Sequence, residues 1–193
     1  MPEEVGKVGV LAIQGSVEEH VASLRACGVR PRLVRKAADL KALSGLIIPG
    51  GESTTIGKLM WRFGVAEAIL ARAEQGDLVI WGTCAGAILL AKELADERVE
   101  GLRLMDIEVA RNAYGNQLES FETELDFAGV GEVDAVFIRA PKIVSVGDGV
   151  EVLARYDGEV VAAREGNFLA TTFHPEMTED LRVHEFFCKK MIF

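Results

Sequence analysis

"VIWGTCAGAILLAKE", residues 79–93, decides how the rest of the chain is read. It begins as a continuous apolar run, which suits a strand covered on both faces, the condition of a parallel sheet inside an α/β sandwich. It ends in a helical pattern. Between the two, Gly82-Thr83-Cys84-Ala85-Gly86 has the spacing of a nucleophile elbow, G-x-[nucleophile]-x-G, in which a sharp turn lifts the reactive atom above the strand end and the glycines relieve crowding. The N-terminus of the next helix presents free N–H groups and a partial positive charge, which favour a thiolate and a developing oxyanion. A free cysteine is equally at home as a small buried hydrophobe, so the elbow alone leaves Cys84 between chemistry and packing.

Working outward, "VGVLAIQ" at 8–14, "PRLVRK" at 31–36 and "GLIIPG" at 45–50 repeat the apolar strand pattern of "LVIWG" at 78–82. Helical stretches separate most of them. Ser16 followed by Glu19 is a capping-box signature opening "SVEEHVASLRACG", where Val17, Val21 and Leu24 recur at helical spacing and Gly28 closes the segment. "VAEAILARAEQG" follows the same logic from Val65 to Gly76. After residue 100 the pattern turns strand-rich: "LMDIEVARN", "ESFETELDF", "DAVFIRAP", "VEVLARYDG" and "NFLATTFHP", with Asp157-Gly158 and Gly166-Asn167 as turn signals. "TEDLRVHEFFCKKMIF" reads as a closing helix. The expectation is one α/β domain over residues 1–193, a three-layer, flavodoxin-like sandwich with a mainly parallel central sheet and extra mixed strands in its C-terminal half.

Composition narrows the function. A net charge of −9, with Lys and Arg scattered, leaves no basic footprint for nucleic acid. No apolar run approaches the roughly 20 residues of a membrane-spanning helix, and "MPEEVGKVG" lacks a signal-peptide layout, so a soluble cytoplasmic protein is expected. The three cysteines, Cys27, Cys84 and Cys188, are far apart and form no C-x-x-C pair, which points away from a disulfide framework or a zinc site.

A base for Cys84 must come from His20, His174 or His184. His20 and His184 fall inside helical segments, where a half-exposed polar role is the ordinary reading. His174 ends the apolar strand "FLATTF" and precedes Pro175 and Glu176. In an extended segment residues 174 and 176 point to the same side, so Glu176 can fix one tautomer of the ring while its other nitrogen faces a thiol. The H-x-E element of zinc deaminases is set aside because no P-C-x-x-C partner follows. "IIPGGESTTIGKL" invites a phosphate-loop reading but departs from it at Glu52 and Leu59. What remains is a Pro49-Gly50-Gly51 turn after a parallel strand, placed to line a ligand crevice and to join Ala85 in an oxyanion hole.

"PGGEST", "GTCAG" and "FHPE", in this order, resemble the class I (triad) glutamine amidotransferases. "VGVLAIQGSVEEH", "ARNAYGNQLESFE", "VFIRAP" and "FHPEMTED" resemble in particular the vitamin B6 branch, the glutaminase subunits of pyridoxal 5'-phosphate synthase. The resemblance implies Cys84 as nucleophile, His174 as general acid and base, and Glu176 as the orienting carboxylate, with an oxyanion hole from Gly51 and Ala85. It further implies L-glutamine contacts at Gly51, Glu52, Ser53, Arg111, Ile138 and Arg139, no cofactor and no metal. The ammonia would pass to a barrel-shaped synthase subunit in a large hetero-oligomer. Two departures, Ala110 and Arg103, stand where a charged residue and a glycine are expected. Service to another biosynthetic synthase, or a non-catalytic regulatory role on the same fold, are the competing readings. "RNAYG" and "FIRAP" speak against the first, and the His174-Glu176 pair against the second.

Overall fold

The apolar runs form a sheet whose two faces are both covered. The computed structural model describes residues 4–94, 96, 98–110 and 120–192. The first half runs β1 (Glu4–Leu11), α1 (Val17–Ala26), β2 (Val29–Val34), β3 (Gly45–Ile48), α2 (Ser53–Arg62), α3 (Val65–Gln75), β4 (Val79–Thr83) and α4 (Ala85–Leu90). The second half is strand-rich: β5 (Ala91–Leu94), β6 (Met105–Ala110), β7 (Phe121–Phe127), β8 (Gly131–Phe137), β9 (Lys142–Val146), β10 (Glu151–Tyr156), β11 (Glu159–Glu165) and β12 (Phe168–Thr171). The chain closes on α5 (Arg182–Phe186), which runs on as a wider π-helical segment, Phe187–Ile192.

The main sheet has the order β2-β1-β3-β4-β12-β11-β9-β6-β5, with β10 paired to β11. From β2 to β12 every pairing is parallel; β11 and β9 then run antiparallel to their neighbours, and β5 pairs parallel with β6. β7 and β8 make a separate two-stranded sheet. The mainly parallel α/β reading therefore holds, with the mixed strands where they were expected. Strands β5, β9 and β11 were not foreseen, and α2 occupies what reads as a loop after Gly51.

Alternation within the strands sorts the core into two layers. Leu46, Ile48 and Ile80 meet Ile56 and Met60 of α2, Ile69 of α3 and Leu89 of α4 on one face. On the other face Ile47, Val79 and Trp81 meet Val21 and Leu24 of α1, then Val183 and Phe187 beyond. Every residue of β3 and β4 is buried, which is why their sequences are continuous rather than alternating. Each large apolar side chain so covered contributes roughly 1.5–3 kcal/mol. Asp157 and Gly158, both with positive φ (47° and 82°), close the β10–β11 hairpin in the sense a type I′ turn demands. Among the described residues no helix is long and apolar enough to cross a membrane.

Candidate active site

At the carboxyl end of β4 the chain turns into α4 through Cys84, whose φ of 48° and ψ of −102° lie where a side chain is strained. The conformation is held from both sides: the Cys84 N–H donates to the Thr171 carbonyl of β12 (2.8 Å), and its own carbonyl accepts from Ala87 N–H (3.1 Å). The flanking glycines are required sterically. A Cβ on Gly86 would overlap the Ile48 carbonyl oxygen, and one on Gly82 would overlap Gly86. Without them α4 could not approach the sheet, and the elbow read from G-x-C-x-G would not form.

β12 ends beside β4 and delivers His174, whose N–H donates to the Val136 carbonyl of β8 (2.7 Å). Pro175 then starts a short 3₁₀ turn, Pro175–Met177, a position where its missing N–H costs nothing. The turn, rather than extended alternation, brings Glu176 under the ring. His174 Nδ1–H donates to Glu176 Oε1 at 2.7 Å, which leaves Nε2 for Cys84, close enough to act on the ring's titration. His174 and Glu176 are each 6% exposed. Burial pushes the His174 pKa down, but the hydrogen bonds and charges of Cys84 and Glu176 outweigh it and lift it to about 10. Burial raises that of Glu176, against which His20, His174 and Ser16 prevail and hold it well below the usual carboxylate range.

A cavity of about 480 Å³ opens over Cys84 and His174, with Gly51, Glu52, Ser53, Ala85, Ile138 and Arg139 in its walls. Eight expected site residues therefore converge on one space, His174 and Cys84 at its floor among them, and Glu176 lies behind the ring. Arg111 lies outside the described residues. Ala85 opens α4, where a first-turn N–H has no intrahelical acceptor and is available to an oxyanion. Arg139 has a φ of 45°, a second strained residue on the cavity wall.

The loop "GESTT" resolves into a helix cap. The Glu52 carboxylate accepts from Thr54 N–H (3.2 Å), Thr55 N–H (2.8 Å), Thr55 Oγ1 (2.7 Å) and the Thr54 hydroxyl. The two hydroxyls, foremost, hold its pKa down at about 2. Ser53, 2% exposed, has an Oγ with no hydrogen-bond partner among the described residues, and it borders the cavity. An unsatisfied buried hydroxyl beside a pocket is a ready contact for a polar ligand.

Several residues here escape sequence reasoning. The capping box at Ser16 does not form: its side chain makes no cap hydrogen bond and instead donates to Glu176 Oε1 at 2.7 Å. His20 and His184, expected half exposed, are fully buried and 3.0 Å apart, Nδ1 to Nε2. His20 Nε2 lies 3.1 Å from Thr83 Oγ1 and 3.5 Å from Glu176 Oε2. The spacing of Ser16 and His20, one helical turn, was the only local signal that both face the same group.

The SNO glutamine amidotransferase family matches residues 10–193 of this chain. The chain is 54% identical over 188 residues to the pyridoxal 5'-phosphate synthase subunit PdxT of Pelotomaculum thermopropionicum, covering 96% of this chain and 95% of that protein. It is 56% identical over 186 residues to the PdxT subunit of Herpetosiphon aurantiacus, covering 93% and 97%. Among solved structures it is similar to a crystal structure of a glutamine amidotransferase, with a TM-score of 0.92 and 48% identity over 95% of this chain and 97% of that one.

Proposed function

The chain belongs to the SNO glutamine amidotransferase family, and from this we propose that Cys84, His174 and Glu176 are the triad with which it hydrolyses glutamine. It is the glutaminase subunit of pyridoxal 5'-phosphate synthase and serves vitamin B6 biosynthesis, paired with a synthase subunit. We take residues 1–193 as one glutaminase domain. The observation that carries the triad is the 2.7 Å contact of His174 Nδ1 with Glu176 Oε1, behind a ring that also meets the strained Cys84.

In this reading the Cys84 sulfur, its proton already held by His174, attacks as a thiolate the side-chain amide carbon of L-glutamine. The C–S bond forms, the carbonyl π electrons move to oxygen, and the N–H groups of Ala85 and Gly51 receive the oxyanion. On collapse the C–N bond breaks, His174 returns the proton to nitrogen, and ammonia leaves with a thioester behind. Water, deprotonated by His174, adds to the thioester; C–S cleavage then frees glutamate and restores the Cys84 thiolate beside protonated His174. Glu176 keeps the ring in the tautomer that presents Nε2 to sulfur. Ser53, Ile138, Arg139 and Glu52 shape the glutamine pocket, and Arg111 is proposed as a further contact. Ammonia passes to a barrel-shaped synthase subunit in a large hetero-oligomer.

Glutamate and pyridoxal 5'-phosphate are to be followed together, with and without the synthase subunit. Cys84→Ala is expected to abolish glutamate release while the folded chain still binds its partner; near-normal turnover by that variant would refute the assignment.

A further inference from the structure

We propose that His20 is a positioning residue for glutamine hydrolysis: its neutral ring, held as the Nε2–H tautomer by His184, serves the second oxygen of Glu176 and, through Thr83, ties the triad carboxylate to the Gly50 peptide of the glycine loop. The proposal rests on the triad reading above and extends it to residues outside the cavity wall.

The two oxygens of Glu176 are served unequally. Oε1 accepts from both His174 Nδ1–H and Ser16 Oγ–H, each at 2.7 Å. Oε2 is buried and has no full hydrogen bond among the described residues; what faces it is His20 Nε2 at 3.5 Å. A carboxylate oxygen out of water requires a dipole or a proton donor nearby, and the ring N–H is the group in place to provide one.

Two tautomers of His20 are possible, and they differ in cost. If Nδ1 carried the proton it would donate to His184 Nε2, leaving a buried Nδ1–H of His184 without an acceptor and turning a His20 lone pair toward the carboxylate. In the opposite arrangement His184 Nε2–H donates to His20 Nδ1 (3.0 Å), and His20 Nε2–H points between Thr83 Oγ1 (3.1 Å) and Glu176 Oε2 (3.5 Å). Unpaired among the described residues are then the bare Nδ1 of His184 and the proton of the Thr83 hydroxyl, which accepts from both His20 and Gly50. The first arrangement costs more, since it leaves a buried ring N–H unmade and also sets a lone pair against a buried carboxylate oxygen. Burial disfavours charge on both rings and lowers both pKa values, so neither adds a second cation beside His174.

Thr83 extends the link. Its Oγ1 accepts the Gly50 N–H at 3.1 Å, and Gly50 packs against His174 and Cys84. The hydroxyl therefore joins His20 to the peptide preceding Gly51, the loop donor proposed for the oxyanion. One ring thereby bears on both the carboxylate arm and the oxyanion arm of the site. The charged and titratable groups around His20 are Glu176, His174 and His184 from facing elements and Glu19 from its own helix.

The test compares His20→Gln, which keeps an N–H donor near the Nε2 position, with His20→Phe, which fills the space without one. The full chain is assembled with its synthase subunit, and glutamine turnover is measured across pH. His20→Phe is expected to lower kcat about 10- to 100-fold, as loss of a hydrogen bond to a charged group does, with KM changed less than about threefold. Its acid limb should move to higher pH, because a Glu176 deprived of the donor protonates earlier; His20→Gln should recover most of kcat and return the limb. Thr83→Val, close in shape and lacking the hydroxyl, should also lower kcat, and it keeps the loop link testable if His20→Phe does not fold. A His20→Phe or Thr83→Val enzyme as fast as the parent would overturn the proposal. So would equal losses in His20→Gln and His20→Phe with an unmoved acid limb. Stoichiometric labelling of Cys84 in the parent by a glutamine-derived diazoketone keeps the two levels apart: label present with an indifferent His20 removes this inference alone, and label absent removes the triad reading with it.

Discussion

Gly50 and His174 touch so closely that no side chain fits between them: a Cβ at residue 50 would overlap His174 Cε1 and lie 3.1 Å from Nδ1 and 3.3 Å from the Cys84 Cβ. The ring cannot retreat, because it is buried and its Nδ1 is bonded to Glu176. Gly50→Ala should therefore displace the imidazole or the loop and lower kcat on the order of a hundredfold, the penalty of misplacing a catalytic group by about an ångström. Steady-state glutamine hydrolysis measures this, and activity within a few-fold of the parent would contradict it.

Glu176→Gln retains an acceptor for His174 Nδ1–H and removes the charge. Against the downward pull of burial, Cys84 and Glu176 lift the His174 pKa to about 10; with the carboxylate neutralised it falls. The step that returns a proton to the leaving nitrogen then fails earlier as pH rises. The alkaline limb of kcat should move to lower pH, and kcat should drop on the order of a thousandfold. A pH–rate profile with an unmoved alkaline limb would count against Glu176 as the partner of His174.

The backbone at Cys84, φ 48° and ψ −102°, is a strained conformation that costs of order 1–3 kcal/mol for a residue with a side chain. Cys84→Ala retains that strain and Cys84→Gly releases it. Both variants should be inactive, and the glycine variant should unfold at higher denaturant than the alanine one, the gain reduced by about 0.5–1 kcal/mol for glycine's freedom in the unfolded chain. A glycine variant less stable than the alanine one would mean that no strain is stored at the elbow.

Burial lowers the His184 pKa from 6.5 to about 3, with His20 adding to the effect. The unfolded chain binds a proton there near 6.5 that the folded chain refuses until about 3, so stability falls as pH drops through that window. His184→Leu removes this site. Its stability, lower at neutral pH for the lost contact with His20, should decline less steeply between pH 6.5 and 3. Thermal unfolding in a pH series tests it; parallel slopes for parent and variant would show that His184 is not the source.

Local sequence was sufficient for the parallel half of the sheet and for the elbow that carries Cys84, because both are encoded by near neighbours. Gly45–Ile48 and the stretch 79–82 are apolar at every position only because helices cover both faces, and that pattern alone announces a parallel α/β core. Gly82 and Gly86 announce the elbow for an equally local reason, since any Cβ there meets backbone. What neighbours could not encode was what a polar side chain meets across the fold. Ser16 has the spacing of a helix cap and instead serves Glu176; Glu52, read as a ligand contact, lines the cavity and is also the cap of α2; His20 has the look of a half-exposed histidine and is buried against Thr83 and Glu176. A hydroxyl, carboxylate or imidazole finds its partner wherever packing removes water from it. That choice is made only when β4, β12 and α1 come together, so the tertiary structure decided the polar network that the periodicity of the chain left open.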